Sequence, residues 1–290
     1  MKMKSFIYIM GIVLLAVFCS CEKQGEQDQG TEQGKEQGQG EKPEPESPED
    51  DDLIITPGIR EQLRVNYAND DPRQYLVVFT TGLSRKCPVY LWAHTNSWDP
   101  VNHPQLAEQV STDILEPLLK RGIAVVSWES VNQVETNTHI KTCEADMKLV
   151  YAWMKEHADE YLLNLDSLYV GGGSRGSIVS WRFIHENPEL VKGGWFAEAL
   201  PYPAGTSPDI ILPITNASPY VRLTYKYNQS THPAEEIHHP KYGWKVYRKY
   251  QELGIENKIE VLEDMGDAYY NGLWKFIRNP KLKPSSKDNN

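Results

Sequence analysis

The feature that most restricts the fold of this chain is a glycine-rich turn between an apolar run and a helical pattern. Residues 168–180 read LYVGGGSRGSIVS, in which Gly172, Ser174 and Gly176 satisfy the pattern G-x-S-x-G. The apolar residues before the turn predict a buried strand, and the spacing of those after it predicts a helix that ends before Pro188. Because glycines lack a Cβ atom, they allow a turn that other residues do not. The sequence therefore predicts a strand, a tight turn that exposes the Ser174 hydroxyl, and a helix.

A serine in such a turn has a specific chemical use. Its hydroxyl lies at the N-terminus of a helix, where backbone N–H groups and the positive end of the helix dipole stabilise a developing oxyanion. This arrangement is a nucleophile elbow. It makes Ser174 the candidate nucleophile and the backbone N–H of Arg175 a candidate oxyanion donor. A glycine turn with a purely structural role is the alternative interpretation of the same residues.

The N-terminal residues indicate where the chain works. Two lysines precede an apolar run over residues 6–18 that is too short to predict a membrane-spanning helix, and this pattern is typical of a secretory signal peptide over residues 1–20. Residues 18–21 read FCSC and resemble the lipobox of bacterial lipoproteins. The resemblance implies that Cys21 is acylated and that the protein is lipid-anchored in a bacterial cell envelope, at the outer membrane or the cell surface. An uncleaved signal anchor is the alternative.

Residues 21–52 have a composition that cannot form a core. From Glu22 onward they contain no aromatic or aliphatic residue, and they carry twelve acidic residues and three lysines. The segment therefore accounts for most of the net charge of −10, and the rest of the chain is close to neutral. We interpret it as an acidic disordered tether, for which a solvated spacer is favoured over a binding site. The sequence has no basic patch of the kind that would indicate a nucleic acid partner.

Residues 53–290 are enough for one α/β domain. Apolar strand-like runs alternate with helical patterns, which predicts a mostly parallel central sheet with helices on both faces. Cys87 and Cys143 could form at most one disulfide, and we interpret both as buried thiols. Strands are predicted over residues 75–80, 88–94, 122–129, 165–170, 193–199, 220–227 and 258–262, and helices over 113–121, 139–163, 243–253 and 274–278.

This order of elements, with Ser174 at the end of about the fifth core strand, resembles the α/β-hydrolase family over nearly all of residues 53–290. A second motif supports the resemblance. Residues 94–98 read HTNSW and end an apolar strand, in register with the His-Gly-Gly-Gly-Trp loop of esterases and lipases of this fold. That loop donates an N–H to the oxyanion.

The resemblance implies roles for individual residues of this loop. An N–H of Thr95 or Asn96 is expected to join Arg175 as an oxyanion donor. His94 is expected to support the loop by hydrogen-bonding its backbone. The three glycines of the family loop are replaced here by Thr95, Asn96 and Ser97, which reduces its backbone freedom.

The catalytic base and acid depart from the family pattern. The family histidine follows the last strand, where this sequence has Asp267. The family acid follows the preceding strand, and the corresponding loop, residues 228–233, contains His232 and no carboxylate. One possibility is a rearranged triad in which His232 is the base for Ser174 and Asp267 orients it. Glu198, which follows the strand before that loop, is an alternative acid.

Two further histidines, His238 and His239, precede Pro240 and are expected at the surface. They lack a third ligand at a recognisable spacing, and the sequence therefore predicts neither a metal nor a cofactor.

Three functions remain compatible with the sequence. The first is a serine hydrolase of the esterase or peptidase type, which cleaves an ester or amide bond of a small molecule, glycan or peptide. The second is a catalytically inactive relative that binds a glycan, peptide or acyl ligand at the cell surface. The third is a tethered scaffold. In each case the membrane is a partner through lipidated Cys21.

Overall fold

The structure, a computed structural model, describes five stretches of the chain within the predicted domain. The predicted signal peptide, the acidic tether and the lipidation site Cys21 lie outside them and stay predictions, and Asn96 and His232 also lie outside them. Within these stretches, no helix is both long enough and apolar enough to cross a membrane. The described residues are 62–95, 106–130, 136–200, 213–231 and 237–281.

The described residues form one eight-stranded sheet and five α-helices. The strand order is β1-β2-β4-β3-β5-β6-β7-β8. Strands β1 and β2 pair antiparallel, as do β2 and β4, and all other neighbours are parallel. The strands are β1 (Gln62–Asn66), β2 (Tyr75–Phe79), β3 (Cys87–Ala93), β4 (Ala124–Trp128), β5 (Leu163–Gly173), β6 (Gly193–Ala197), β7 (Tyr220–Thr224) and β8 (Ile259–Leu262), and the helices are α1 (Thr112–Leu119), α2 (Asn137–Glu156), α3 (Arg175–Glu186), α4 (Lys241–Glu252) and α5 (Leu273–Arg278).

Helices cover the sheet on both faces, as predicted. Helices α2, α3 and α4 contribute to one apolar cluster, and α1 and α5 contribute to another. Side chains of β3 alternate between the two clusters, which is why this strand has an almost continuous apolar sequence. Cys87 and Cys143 are buried and free, which confirms their interpretation as thiols.

Strand β1 and the C-terminal end of α2 depart most from the predictions, and the other predicted elements are found with boundaries that differ by a few residues. Strand β1 was not predicted; it has only five residues, of which two are apolar, and it pairs only at the antiparallel edge of the sheet. Helix α2 ends at Glu156 and does not continue to residue 163. The apolar Leu163, which extended the helical pattern, is instead the first residue of β5.

Candidate active site

The turn between β5 and α3 has the strained backbone of a nucleophile elbow. Ser174 has φ of 48° and ψ of −113°, and residues other than glycine rarely adopt such a positive φ. Its backbone N–H donates to the Ala197 carbonyl at 2.9 Å, which ties the turn to the end of β6. Such strain costs about 1–3 kcal/mol and is concentrated at functional sites.

The two glycines of the motif are required by the close approach of β3. A Cβ atom on Gly176 would lie 2.0 Å from the carbonyl oxygen of Ala93, and one on Gly172 would lie 2.4 Å from the same oxygen. A side chain at either position would therefore force the elbow away from β3. Thr95, which follows β3, lies beside the elbow, with its Cγ2 3.0 Å from a Cβ on Gly173.

The Ser174 hydroxyl is directed at an imidazole and does not cap the helix that follows it. At the starts of α1 and α2, Ser111 and Thr136 accept backbone N–H groups in the usual capping arrangement. Ser174 precedes α3 in the same way, but its side chain makes no capping bond. Its Oγ lies 3.0 Å from Nε2 of His238.

The other nitrogen of that imidazole faces a carboxylate. His238 Nδ1 lies 3.1 Å from Oε2 of Glu198, and both side chains are partly buried. Glu198 directly follows β6, has a φ of 48° and donates its backbone N–H to the Thr224 carbonyl at 2.8 Å. The three side chains thus have the geometry of a nucleophile, a base and an orienting acid.

Asp267 does not take part in this arrangement. Its carboxylate is 87% exposed and pairs with Lys226 Nζ at 2.8 Å. The carboxylate that faces the imidazole is instead Glu198, which the sequence offered as the alternative acid. His232, the histidine that the sequence favoured as the base, lies outside the described residues.

The prediction that His238 and His239 lie at the surface was wrong. His238 is partly buried against Ser174, and His239 is buried, with its Nδ1 accepting the Lys241 N–H at 3.0 Å where α4 begins. The sequence contained a usable signal, because ligand sites of open α/β sheets lie at the carboxyl ends of the strands and three histidines lie between β7 and α4. Only the path of that loop decides which histidine reaches Ser174.

Buried polar groups hold the loop after β3 against the elbow. The Nδ1–H of His94 donates to the Thr95 carbonyl at 2.5 Å, which is the kind of backbone contact expected of His94. Its Nε2 lies 2.6 Å from Oε1 of Glu129, and the side chain of Arg175 donates to the His94 carbonyl at 3.3 Å. Burial alone would raise the pKa of Glu129, but its hydrogen bond with His94 and the charge of Arg175 lower it. Arg175, which follows Ser174, therefore also anchors the first residues after β3.

The candidate oxyanion donors flank Ser174. The backbone N–H of Arg175 lies in the first turn of α3, and Thr95 lies next to the elbow. Over the part of the chain that the structure describes, no three His, Cys, Asp or Glu side chains are grouped as a metal site requires.

Solved structures share this fold at low sequence identity. A truncated carbohydrate esterase from gut microbiota superposes with a TM-score of 0.61 and 15% identity, over 79% of this chain and 98% of that one. A CE1 ferulic acid esterase from Anaeromyces mucronatus gives a TM-score of 0.54 and 13% identity, over 79% of this chain and 94% of that one. A bifunctional GH43-CE protein of Bacteroides eggerthii gives a TM-score of 0.55 and 14% identity. The match covers 74% of this chain but only 38% of that longer protein.

No protein-family model and no curated protein matches the sequence. At these identities, the structural likeness establishes the fold and nothing finer. The eight-stranded, mostly parallel sheet with helices on both faces is an α/β-hydrolase-like fold, as the sequence predicted.

Proposed function

We propose that this protein is a serine esterase in which Ser174 is the nucleophile, His238 the general base and Glu198 the orienting acid. The observation that carries the proposal is the distance of 3.0 Å between Ser174 Oγ and His238 Nε2. It is supported by the strained elbow backbone at Ser174 and by the carboxylate of Glu198 on the other side of the imidazole. A serine hydroxyl becomes nucleophilic when a base accepts its proton, and these contacts supply that base.

The geometry supports a two-step acyl transfer. Glu198 accepts the Nδ1–H of His238, which leaves Nε2 unprotonated and able to accept the Ser174 proton. As Oγ bonds to the ester carbonyl carbon, the carbonyl oxygen becomes an oxyanion, and the N–H groups of Arg175 and Thr95 are the proposed donors to it. When the C–O bond to the alcohol breaks, His238 returns the proton to the departing oxygen.

The second step regenerates the serine. A water molecule loses a proton to His238 Nε2 and attacks the acyl carbon. The second tetrahedral intermediate then breaks its bond to Ser174 Oγ, which takes the proton back from His238. The acid product leaves, and the enzyme returns to its initial state.

We propose acyl esters on carbohydrates as the substrate class. The support is the recurrence of carbohydrate and ferulic acid esterases among the structures that share the fold. Acetylated or feruloylated glycans are therefore the first substrates to compare with a simple ester such as p-nitrophenyl acetate.

The test is covalent labelling of the purified protein with a fluorophosphonate probe, which reports serine activation without a known substrate. The wild type is expected to be labelled and Ser174→Ala is expected to be unlabelled. Ser180→Ala is the matched control, because Ser180 lies buried on the helix that follows the elbow and plays no part in the mechanism. Circular dichroism checks that each variant is folded.

Absence of labelling in a folded wild type would contradict the esterase proposal and favour an inactive relative that binds a glycan, peptide or acyl ligand. Labelling that persists in Ser174→Ala would assign the reactive serine elsewhere. Labelling confined to proteins with Ser174 would support the proposal, and hydrolysis of the glycan esters would then define the substrate.

We also propose that the domain is anchored to the bacterial cell envelope through lipidated Cys21. The support is the apolar segment 6–18 and the lipobox-like sequence at residues 18–21. In a bacterial host, Cys21→Ser is expected to move the protein from the detergent phase to the aqueous phase of a Triton X-114 partition. Cys19→Ser is the control and is expected to partition like the wild type. Equal partitioning of wild type and Cys21→Ser would overturn lipidation of Cys21 as the anchor.

A further inference from the structure

The loop between β8 and α5 is where the family resemblance placed the catalytic histidine, and it contributes a different contact to the site. The hydroxyl of Tyr269, in this loop, donates a hydrogen bond to Oε1 of Glu198 at 2.5 Å. The other carboxylate oxygen, Oε2, faces His238 Nδ1 at 3.1 Å. Each oxygen of the proposed catalytic acid therefore has its own hydrogen-bond partner.

The backbone of Tyr269 is held by the strand that carries the acid. The indole N–H of Trp195 donates to the Tyr269 carbonyl at 2.9 Å. Trp195 is fully buried on β6, three residues before Glu198. Strand β6 therefore positions both partners of the contact, because Glu198 directly follows it and its Trp195 holds the backbone of Tyr269.

The phenol is a permanent donor to the carboxylate. Burial, together with the hydrogen bond to Glu198, raises the pKa of Tyr269 well above its ordinary value, so that the hydroxyl stays protonated over the working range of an esterase. The contact is thus an O–H group donating to an ionised oxygen, which is stronger than a neutral hydrogen bond.

Other charged groups also act on Glu198. Lys226 follows β7, and its positive charge attracts the negative charge of the Glu198 carboxylate. The Lys226 ammonium, however, is paired with Asp267. Tyr225, from the end of the same strand, is buried and donates to the Ala199 carbonyl. In the described part of the chain, the side chains within hydrogen-bond distance of the Glu198 carboxylate are His238 and Tyr269.

We propose that Tyr269 is a positioning residue of the triad, whose hydroxyl fixes the orientation of the Glu198 carboxylate against His238 and shares its negative charge. The inference rests on the proposed esterase function. A carboxylate bound at one oxygen only can rotate about its last bond, and its full charge then acts on the imidazole. The hydrogen bond from the Tyr269 hydroxyl prevents the rotation and reduces the negative charge that acts on the imidazole. Glu198 can then orient His238 without holding it in its protonated form.

The experiment is the pH dependence of the labelling rate with a fluorophosphonate probe. Without the phenol hydroxyl, the carboxylate stabilises the imidazolium more strongly. The acid limb of the profile for Tyr269→Phe is therefore expected about half a pH unit higher than in the wild type. Tyr220→Phe, at the opposite end of β7 from the site, is the control and is expected to follow the wild-type profile. A purely structural role for Tyr269 would lower the rate at every pH without moving the limb.

Titration of the His238 imidazole by NMR gives a second readout that does not need turnover. Tyr269→Phe is expected to raise the midpoint when Glu198 is present and to leave it unchanged in the Glu198→Gln background. An unchanged midpoint with Glu198 present, or an equal shift in both backgrounds, would overturn the role of Tyr269. The failure of the esterase proposal would be seen separately, as a wild type that the probe does not label.

Discussion

Replacement of His238 by glutamine is expected to lower kcat for ester hydrolysis by about 10⁴- to 10⁶-fold, close to the loss in Ser174→Ala, because members of a triad act as a unit. Glutamine can donate or accept a hydrogen bond near Ser174, but it cannot take the proton from Oγ and return it to the leaving group. KM is expected to change little, since His238 acts on the serine and not on the bound ester. The measurement is steady-state hydrolysis of p-nitrophenyl acetate by the purified variant.

His232→Gln is the informative comparison, since His232 is the base that the sequence alone favoured. With His238 at 3.0 Å from Ser174 Oγ, His232→Gln is expected to keep nearly the wild-type rate. A loss in His232→Gln that matched the loss in His238→Gln would contradict the assignment of the base. Thermal unfolding of both variants excludes a loss of folded protein as the cause.

Replacement of Glu198 by glutamine is expected to lower kcat by about 10⁴-fold, the size of effect that an acid-to-amide change has in a serine triad. The amide can present its NH₂ group to His238 Nδ1, which stabilises the tautomer that carries its proton on Nε2. In that tautomer Nε2 cannot accept the Ser174 proton. The acid also stabilises the imidazolium that forms during attack, and the neutral amide does not.

Asp267→Asn provides the matched control for the carboxylate. Its side chain is exposed and paired with Lys226, and removal of such a surface ion pair is expected to change the free energy of unfolding little. Activity is expected to stay at the wild-type level. If Asp267→Asn lost activity while Glu198→Gln kept the wild-type kcat, Asp267 and not Glu198 would be the acid.

The proposed triad is displaced by one strand relative to the family resemblance. Its acid follows β6 and its base lies between β7 and α4, whereas the resemblance implied an acid after β7 and a base after β8. The order along the chain is nevertheless serine, acid and histidine, as in the family. The displacement is physically simple, because parallel neighbouring strands end at the same edge of the sheet. The loop after β8 is then available to contribute Tyr269.

The local sequence was sufficient for features that depend on neighbouring residues. The strand, turn and helix around Ser174 follow from apolar spacing and from glycines at positions 172 and 176, and the alternation of strands and helices predicted the mostly parallel sheet. The hydrogen bond of His94 to the backbone of Thr95 could also be expected from the sequence, because the two residues are adjacent.

The proposed base and acid could be chosen only from the tertiary structure. Three histidines follow β7, and candidate carboxylates follow both β6 and β8, so the sequence limited the choice to loops at one edge of the sheet. The choice among them depends on loop paths, on the positive φ at Glu198 and on contacts between residues 40 to 71 positions apart, such as those of Glu198 with His238 and Tyr269. Local patterns carry the periodicity of helices and strands, whereas such distant contacts arise only when the strands pack side by side and bring their loops together.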